Sequence, residues 1–384
     1  MAGKLNIAVV TGTRSEFGIW RPVLGAISQS PTLNLQLIVT GMHLLKAFGN
    51  TQKMIADYKF PIAAKVPMYK ADEPIASSLA RGTANLAKAF EKLKPDVVMV
   101  LGDRLEILAA ATAALALQIP IAHVHGGETA PGQWDEQIRH AVTKMAHLHF
   151  CATETSAHRL QLMGEDPQRI HTVGAPAIDL ALHARALFDR LPVGERFSLP
   201  VVVLHPTSPD DELEYQRTRM LLDALSRHFP RTNRLRYHVV GPNNDPGHQG
   251  ILQAYLEAEE DVDLEMSVPQ EIFWASLRGS RLLIGNSSAG IIEAATFGCT
   301  VINVGDRQKG REQSGNVLNV PWEAGEIAKA IRRARSDKVF LRQVETCENV
   351  YGDGHSAQRI VRILELLHED PLSTIKSFHE SQPR

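Results

Sequence analysis

The sequence predicts an α/β chain of two consecutive doubly wound domains, each built on a parallel sheet, and three observations point there. Short apolar runs alternate with amphipathic segments along the whole chain. The runs are flanked by Gly, Pro or Asp, the pattern of parallel strands covered on both faces. At 384 residues the chain exceeds one ordinary domain, and an aperiodic stretch at residues 190–200, with two prolines and a glycine, interrupts the series near its middle.

Residues 5–10 open the first series as a buried strand. Residues 35–40, 97–101, 121–124 and 149–152 continue it, with helices expected over 76–93, 106–117 and 137–145. Strands over 201–204, 236–240, 282–285 and 301–304 follow the break, with helices over 212–227, 270–276 and 290–297. Alternation of this kind builds βαβ units. It gives a first domain over 1–185, a second over 200–350 and a C-terminal segment over 351–384, whose residues past Asp370 read as a loose tail. Two such sheets in succession place a ligand cleft between the C-terminal ends of their strands.

Composition narrows the function. The chain carries 41 basic and 43 acidic residues, a net charge of −2. No global positive field exists to hold nucleic acid or an anionic membrane, so phosphate binding has to be local. Cys151, Cys299 and Cys347 are too scattered for a disulfide framework or a zinc site and read as reduced thiols of a cytoplasmic protein. No secretory signal pattern opens the chain, and no apolar run is long enough to span a bilayer.

Five motifs follow strands and are candidates for chemistry. Thr11-Gly12-Thr13-Arg14-Ser15-Glu16-Phe17-Gly18 leads into a helix; Gly12 and Gly18 would let backbone amides approach an anion, with Arg14 adding charge. The plain alternative is a turn needing two glycines. In Gly102-Asp103-Arg104, Asp103 stands at the sheet edge, as a helix cap or as a functional carboxylate. His123-Val124-His125-Gly126-Gly127-Glu128 is followed by Asp135, Glu136, Arg139 and His140. Asp135 and Arg139 share a helix face. These titratable groups converge beside Asp103 if their strands are neighbours, the setting of general acid–base work. The alternatives are an ion-pair cluster or a metal site; the tight spacing of a helical zinc motif is missing, and no metal is expected. His205 ends the first strand of the second domain. Last, Gly285-Asn286-Ser287-Ser288-Ala289-Gly290 and Glu293, then Arg307, Lys309 and Arg311 after the next strand, have the composition of a diphosphate and ribose site. His43 ends a strand and is a further candidate to reach the ligand, whereas His147 and His149 read as packing residues.

Taken together and in this order, these motifs, with Thr40-Gly41-Met42-His43 and Asp135-Glu136-Gln137-Ile138-Arg139-His140, closely resemble the UDP-N-acetylglucosamine 2-epimerases, and within them the hydrolysing branch. The resemblance runs from Thr11 to Gly354. It implies a GT-B fold of two Rossmann-like domains with the active site between them, and a final helix that returns to the first domain. It implies UDP-N-acetylglucosamine as substrate, with a base removing the C2 proton as UDP leaves C1. Water then adds to the resulting 2-acetamidoglucal, and N-acetylmannosamine and UDP are released on the way to sialic acid. No cofactor is implied. The catalytic positions that match are Asp103 and Asp135, with Glu128, Arg139 and His205; Arg14, Ser287, Ser288, Glu293 and Arg311 match UDP-binding positions. Many relatives have Glu where this chain has His125, so the base stays open among His125, Glu128, Asp135 and Asp103. The resemblance also implies a homodimer or homotetramer, with helices 76–93 and 106–117 as interface elements. The alternatives are the same reaction on UDP-2,4-diacetamido-2,4,6-trideoxyglucose, a non-hydrolysing epimerase, a GT-B glycosyltransferase, and a nucleotide-sugar-binding regulator without turnover.

Overall fold

The computed structural model describes residues 3–45, 51–70, 73–129, 135–190, 194–231, 235–243 and 245–380. It divides into two units, Met1–Asp179 with Tyr351–Arg384, and Leu180–Val350.

The first unit holds β1 (Leu5–Thr11), β2 (Leu33–Thr40), β3 (Ile62–Val66), β4 (Val97–Leu101), β5 (Ile121–Val124), β6 (Leu148–Cys151) and β7 (Ile170–Thr172). They form a parallel seven-stranded sheet in the order β3-β2-β1-β4-β5-β6-β7. Along β1, Ile7 and Val9 enter one apolar cluster with Trp20 and Leu24, while Ala8 and Val10 enter another with Leu86 and Phe90. Both faces are covered, which is why the run is continuously apolar. Trp20 also donates its indole N–H to the Val10 carbonyl at 3.1 Å, locking helix Arg14–Gln29 onto the sheet.

The second unit holds β8 (Val201–Val203), β9 (Tyr237–Val240), β10 (Val262–Glu265), β11 (Leu282–Gly285), β12 (Thr300–Val304) and β13 (Val317–Val320). Its parallel six-stranded sheet runs β10-β9-β8-β11-β12-β13. Val202 and Ile284 face one cluster; Val201, Val203 and Leu283 face the other.

In each sheet the strand order reverses once, between β1 and β4 and between β8 and β11. Doubly wound sheets bind ligands outside the carboxyl ends of the strands at that point. The motifs after β1 and β4, and those after β8 and β11, stand there.

The structure corrects the expected layout in four places. Strands β3, β7, β10 and β13 were not expected, and all are sheet edges. The unit boundary falls between Asp179 and Leu180 rather than in the 185–200 region. Asp179 accepts backbone N–H bonds from Ser356 and Ala357 in the first unit, whereas Ala181 and Ala184 pack with Val201 and Val203 in the second. Residues 290–297 are not one helix but a short helix Ser288–Ile292 followed by a 3-10 turn Ala294–Phe297. The segment past Asp370 lacks regular structure yet is bonded to the first unit, through Lys376 and the His379 amide.

Helix Ser356–Leu366 belongs to the first unit's core: Ile360 is fully buried in the cluster containing Trp20. Ile360→Ala is expected to cost about 2–5 kcal/mol. Differential scanning calorimetry would show it as a lowered transition for the first unit, with that of the second unit unmoved.

Candidate active site

In the first unit, β4 ends at Leu101 and the chain turns through Gly102 at φ +73° to deliver Asp103. β5 ends at Val124, and His125 takes a left-handed φ of +62°. Histidine is among the non-glycine residue types that tolerate this region. A Cβ on Gly127 would lie 2.4 Å from the Ser156 carbonyl oxygen, and one on Gly126 would lie 2.9 Å from His123 Nδ1. The tight turn brings His125 Nδ1 onto Glu128 Oε1. Arg139, from helix Asp135–Met145, is 4% exposed. It pairs with Asp103, donates Nη1–H to the His125 carbonyl at 2.9 Å and lies 3.7 Å from Glu128 Oε2.

Two histidines here have definable proton positions. The Gly102 carbonyl can only accept, so His123 donates to it from Nε2 at 2.8 Å, and its Nδ1 faces the Thr143 hydroxyl at 3.2 Å. Burial pushes His123 down to about 3; it is a neutral spacer holding the Gly102 turn. At His125 the Glu128 carboxylate takes the Nδ1–H, which leaves the lone pair on Nε2. That atom is buried and has no hydrogen-bond partner among the described residues. Buried polar atoms are almost always satisfied, and exceptions mark functional places.

The turn after β1 is built differently. Glu16 Oε2 accepts the backbone N–H of Gly12 at 2.7 Å and of Thr13 at 3.0 Å. Thr13 and Glu16 form a reciprocal capping box on the helix. Glu106, fully buried, presses against Gly12 and Gly41, whose added Cβ atoms would lie 2.8 Å from its Cγ and 2.4 Å from its Oε1. Arg104 Nε lies 3.5 Å from Glu106 Oε2.

In the second unit the two switch-point strands are joined by Asn286, 1% exposed. Its Oδ1 accepts the His205 N–H and its Nδ2 donates to the His205 carbonyl, each at 2.8 Å. Gly285 has φ +143°, and a Cβ there would lie 1.9 Å from the Val203 carbonyl oxygen. Arg307 and Gln308 donate to the Asn286 carbonyl at 3.3 and 2.9 Å. His205 Nδ1 accepts the Asn243 backbone N–H at 3.1 Å, so its ring proton sits on Nε2. Burial, with the nearby Arg307 charge, lowers its pKa to about 3. Ser287 caps helix Ser288–Ile292 with Ser288 beside it, and Glu293 closes that helix, its carboxylate bonded to the Trp274 indole N–H.

A family model described as UDP-N-acetylglucosamine 2-epimerase matches residues 25–365. The chain belongs to that family. It is 36% identical, over 97% of this chain and 99% of the relative, to a hydrolysing UDP-N,N′-diacetylbacillosamine 2-epimerase of Legionella pneumophila. It is 34% identical to a UDP-N-acetylglucosamine 2-epimerase of Neisseria meningitidis serogroup B, over 86% and 88% of the two chains. The crystal structure of a Neisseria meningitidis UDP-GlcNAc 2-epimerase bound to UDP-GlcNAc superposes with a TM-score of 0.80 at 18% identity, covering 94% of this chain and 99% of that one. That likeness carries the fold, which is GT-B-like.

Within this 2-epimerase family member the expected site residues sort as follows. Asp103, His125, Glu128 and Arg139 come together, and Asp135 opens the helix that carries Arg139, within electrostatic reach of Arg104. His205, Gly285, Ser287, Ser288, Glu293 and Arg307 gather in the second unit, and Arg311 lies on the same loop as Arg307. Three expectations are corrected. His43 is fully buried, with Nε2 at 3.1 Å from the Thr11 hydroxyl and Nδ1 at 2.7 Å from that of Thr51; it braces the loop and presents no surface to a ligand. The Gly12 and Thr13 amides are taken by Glu16, and Gly18 lies inside the helix, so the turn after β1 offers an anion the exposed Arg14 rather than those amides. Gly290 is a packing glycine, its amide bonded to the Ser287 carbonyl, and a Cβ there would lie 3.0 Å from Val301 and 3.1 Å from Leu283. Sequence reasoning missed Glu16, Glu106, Asn286 and Trp274. The Thr-x-x-Glu spacing of a capping box was the one legible signal among them.

Burial, and next the Glu106 charge, raise the Glu16 pKa from 4.5 to about 8. Between those values the folded chain holds a proton that the unfolded chain has lost, so this group's contribution to stability falls as pH rises through that window. Glu16→Gln keeps an acceptor for the two amides and cannot ionise. Thermal melts from pH 5 to 8 should show a flatter pH dependence than wild type and a melting temperature higher by on the order of 5 °C at pH 8. Identical slopes in the two proteins would refute the raised pKa.

Proposed function

We propose that this chain is a hydrolysing UDP-sugar 2-epimerase that converts UDP-N-acetylglucosamine to N-acetylmannosamine and UDP. The observation that carries this is the His125 dyad: a histidine oriented by Glu128, with a buried Nε2 lone pair that has no partner among the described residues, beside the Asp103–Arg139 pair. A C2–H next to an acetamido group is a weak acid, so a positioned base is required. Among the candidates, Glu128 has Oε1 on His125 and Oε2 near Arg139, Asp103 is paired with Arg139, and Asp135 lies within electrostatic reach of Arg104. His125 Nε2 is the acceptor that remains, and it takes the C2 proton as UDP leaves C1. The electrons of the C2–H bond form the C1–C2 double bond of 2-acetamidoglucal. Water then adds at C1, C2 is reprotonated from the opposite face, and free sugar is released. His205, whose proton sits on Nε2, serves the departing diphosphate as a neutral hydrogen-bond donor; Arg14, Ser287, Ser288, Arg307 and Arg311 hold UDP, and Glu293 its ribose. The enzyme works as a cytoplasmic homodimer or homotetramer.

A second reading keeps the chemistry and changes the sugar to UDP-2,4-diacetamido-2,4,6-trideoxyglucose. It is favoured by the 36% identity to the Legionella pneumophila enzyme named for UDP-N,N′-diacetylbacillosamine.

Proton NMR of each UDP-sugar with the protein in deuterated water is the direct test. Free UDP and a sugar of inverted C2 configuration carrying deuterium at C2 are expected; a product still attached to UDP would exclude hydrolysis. His125→Asn isolates the base, because Asn tolerates the left-handed backbone while removing the imidazole. Its kcat should fall about 10²–10⁴-fold with UDP affinity by calorimetry unchanged, and near-wild-type turnover would remove His125 from this role.

A further inference from the structure

Residues 371–380 carry neither helix nor strand, yet they make side-chain and backbone bonds to one patch of the first unit. Lys376 Nζ donates to Glu165 Oε2 at 2.6 Å, to the Ala146 carbonyl at 2.7 Å and to the Thr143 carbonyl at 3.4 Å. His147 accepts the Ile121 N–H on Nδ1 at 3.1 Å, so its Nε2–H points to the Thr374 carbonyl, 3.2 Å away. The His379 amide donates to the Gly164 carbonyl at 2.9 Å. Gly164 has φ +79°, and a Cβ there would lie 2.2 Å from the Phe378 ring. The strap thus closes over a cavity of about 310 Å³ lined by His147, His149, Glu165, Arg169 and Lys376.

Glu165 is 2% exposed and also accepts from Lys144 at 2.6 Å and from His149 at 2.9 Å. Lys376 contributes something neither of those donors does. Its ammonium reaches the Thr143 and Ala146 carbonyls at the C-terminal end of helix Asp135–Met145, where the helix dipole favours a cation. The first turns of the same helix carry Asp135 and Arg139. Thr143, whose carbonyl faces Lys376, places its hydroxyl on His123 Nδ1, and His123 in turn holds the Gly102 carbonyl next to Asp103. One end of this chain of bonds is the strap, and the other is the Arg139–Asp103 pair.

We propose that the C-terminal strap is a positioning element for the Arg139–Asp103 pair, acting through Lys376 on helix Asp135–Met145. The proposal rests on the reading of Arg139 and Asp103 as part of the catalytic centre. Lys376 touches no reacting atom in this scheme; it sets where the helix and the Gly102 turn come to rest. Glu165 keeps Lys144 and His149 when Lys376 is removed, so the unit is expected to fold without it.

The test uses the full chain with Lys376→Met, and Lys376→Gln in case the first variant does not fold. Steady-state UDP release is measured well below the melting temperature, and amide hydrogen exchange is followed by mass spectrometry. Expected are a kcat lower by about tenfold, in line with a small misplacement of catalytic groups, a KM within about twofold of wild type, and faster exchange confined to residues 100–105 and 135–146. A wild-type kcat overturns the proposal, as does unchanged exchange in those segments. If the wild-type protein turns over none of the UDP-sugars, the functional reading fails, and the exchange data alone then decide whether the strap holds the helix.

Discussion

Burying a guanidinium, which does not lose its charge, demands acceptors around it, and Arg139 imposes that demand on the first unit at 4% exposure. It draws Asp103 from the turn after β4, the His125 carbonyl from the turn after β5, and Glu128 from three residues further on. The backbone peculiarities of the site follow from it. Gly102 and His125 adopt left-handed conformations, and Gly126 and Gly127 allow contacts that a Cβ would block. Without the cation, the buried Glu128 and the partly buried Asp103 would lose their shared partner, the costly state of a half-broken ion pair. The same demand explains why His125 acquires an orienting carboxylate, since Glu128 reaches toward Arg139 with one oxygen and carries the imidazole on the other.

The second unit meets the equivalent point of its sheet with neutral groups. Asn286 clasps both the N–H and the carbonyl of His205, satisfying two buried backbone groups with one amide. Arg307 and Gln308 are then tied to the Asn286 carbonyl. A carboxylate does appear at Glu293, held in place by the Trp274 indole, where a hydroxyl-bearing ligand would supply the remaining donors.

Interior strands are legible from sequence because both faces are covered, and the unbroken apolar run records that. The strands that escaped notice are β3, β7, β10 and β13, the edges of the two sheets. β3 alternates partly buried with exposed residues, and β7 contains no fully buried residue. Edges have neighbours on one side only, and their composition drifts toward that of loops. The domain boundary was misplaced because helix Pro176–Phe188 is continuous through it, and the aperiodic stretch that follows lies wholly inside the second unit. The gathering of Asp103, His125 and Glu128 in the first unit was legible because they sit within a few residues of strand ends, where position along the sheet dictates position in space. The fates of His43 and of the Gly12 amide were not, because each depends on a side chain arriving from elsewhere: Thr51 in one case, Glu16 and Glu106 in the other. The tail looked loose for the same reason. Its anchors, Lys376, the Thr374 carbonyl and the His379 amide, have partners more than two hundred positions away in sequence.

Two histidines illustrate how one hydrogen bond decides whether an imidazole offers a lone pair or a proton. His125 gives its Nδ1 proton to a carboxylate and is left with a lone pair on Nε2. His205 accepts a backbone N–H on Nδ1 and is left with a proton on Nε2. The first is thereby an acceptor and the second a donor. The His205 assignment does not depend on pH near neutrality, because protonating it at Nδ1 would break the Asn243 bond and bury a charge near Arg307. The proposed elimination, which removes a proton at one carbon and releases an anion at the next, requires one of each. The fold fixes both choices with groups at strand ends, before any ligand arrives, so the electrostatic cost of reorganising them is met during folding rather than at the moment of reaction.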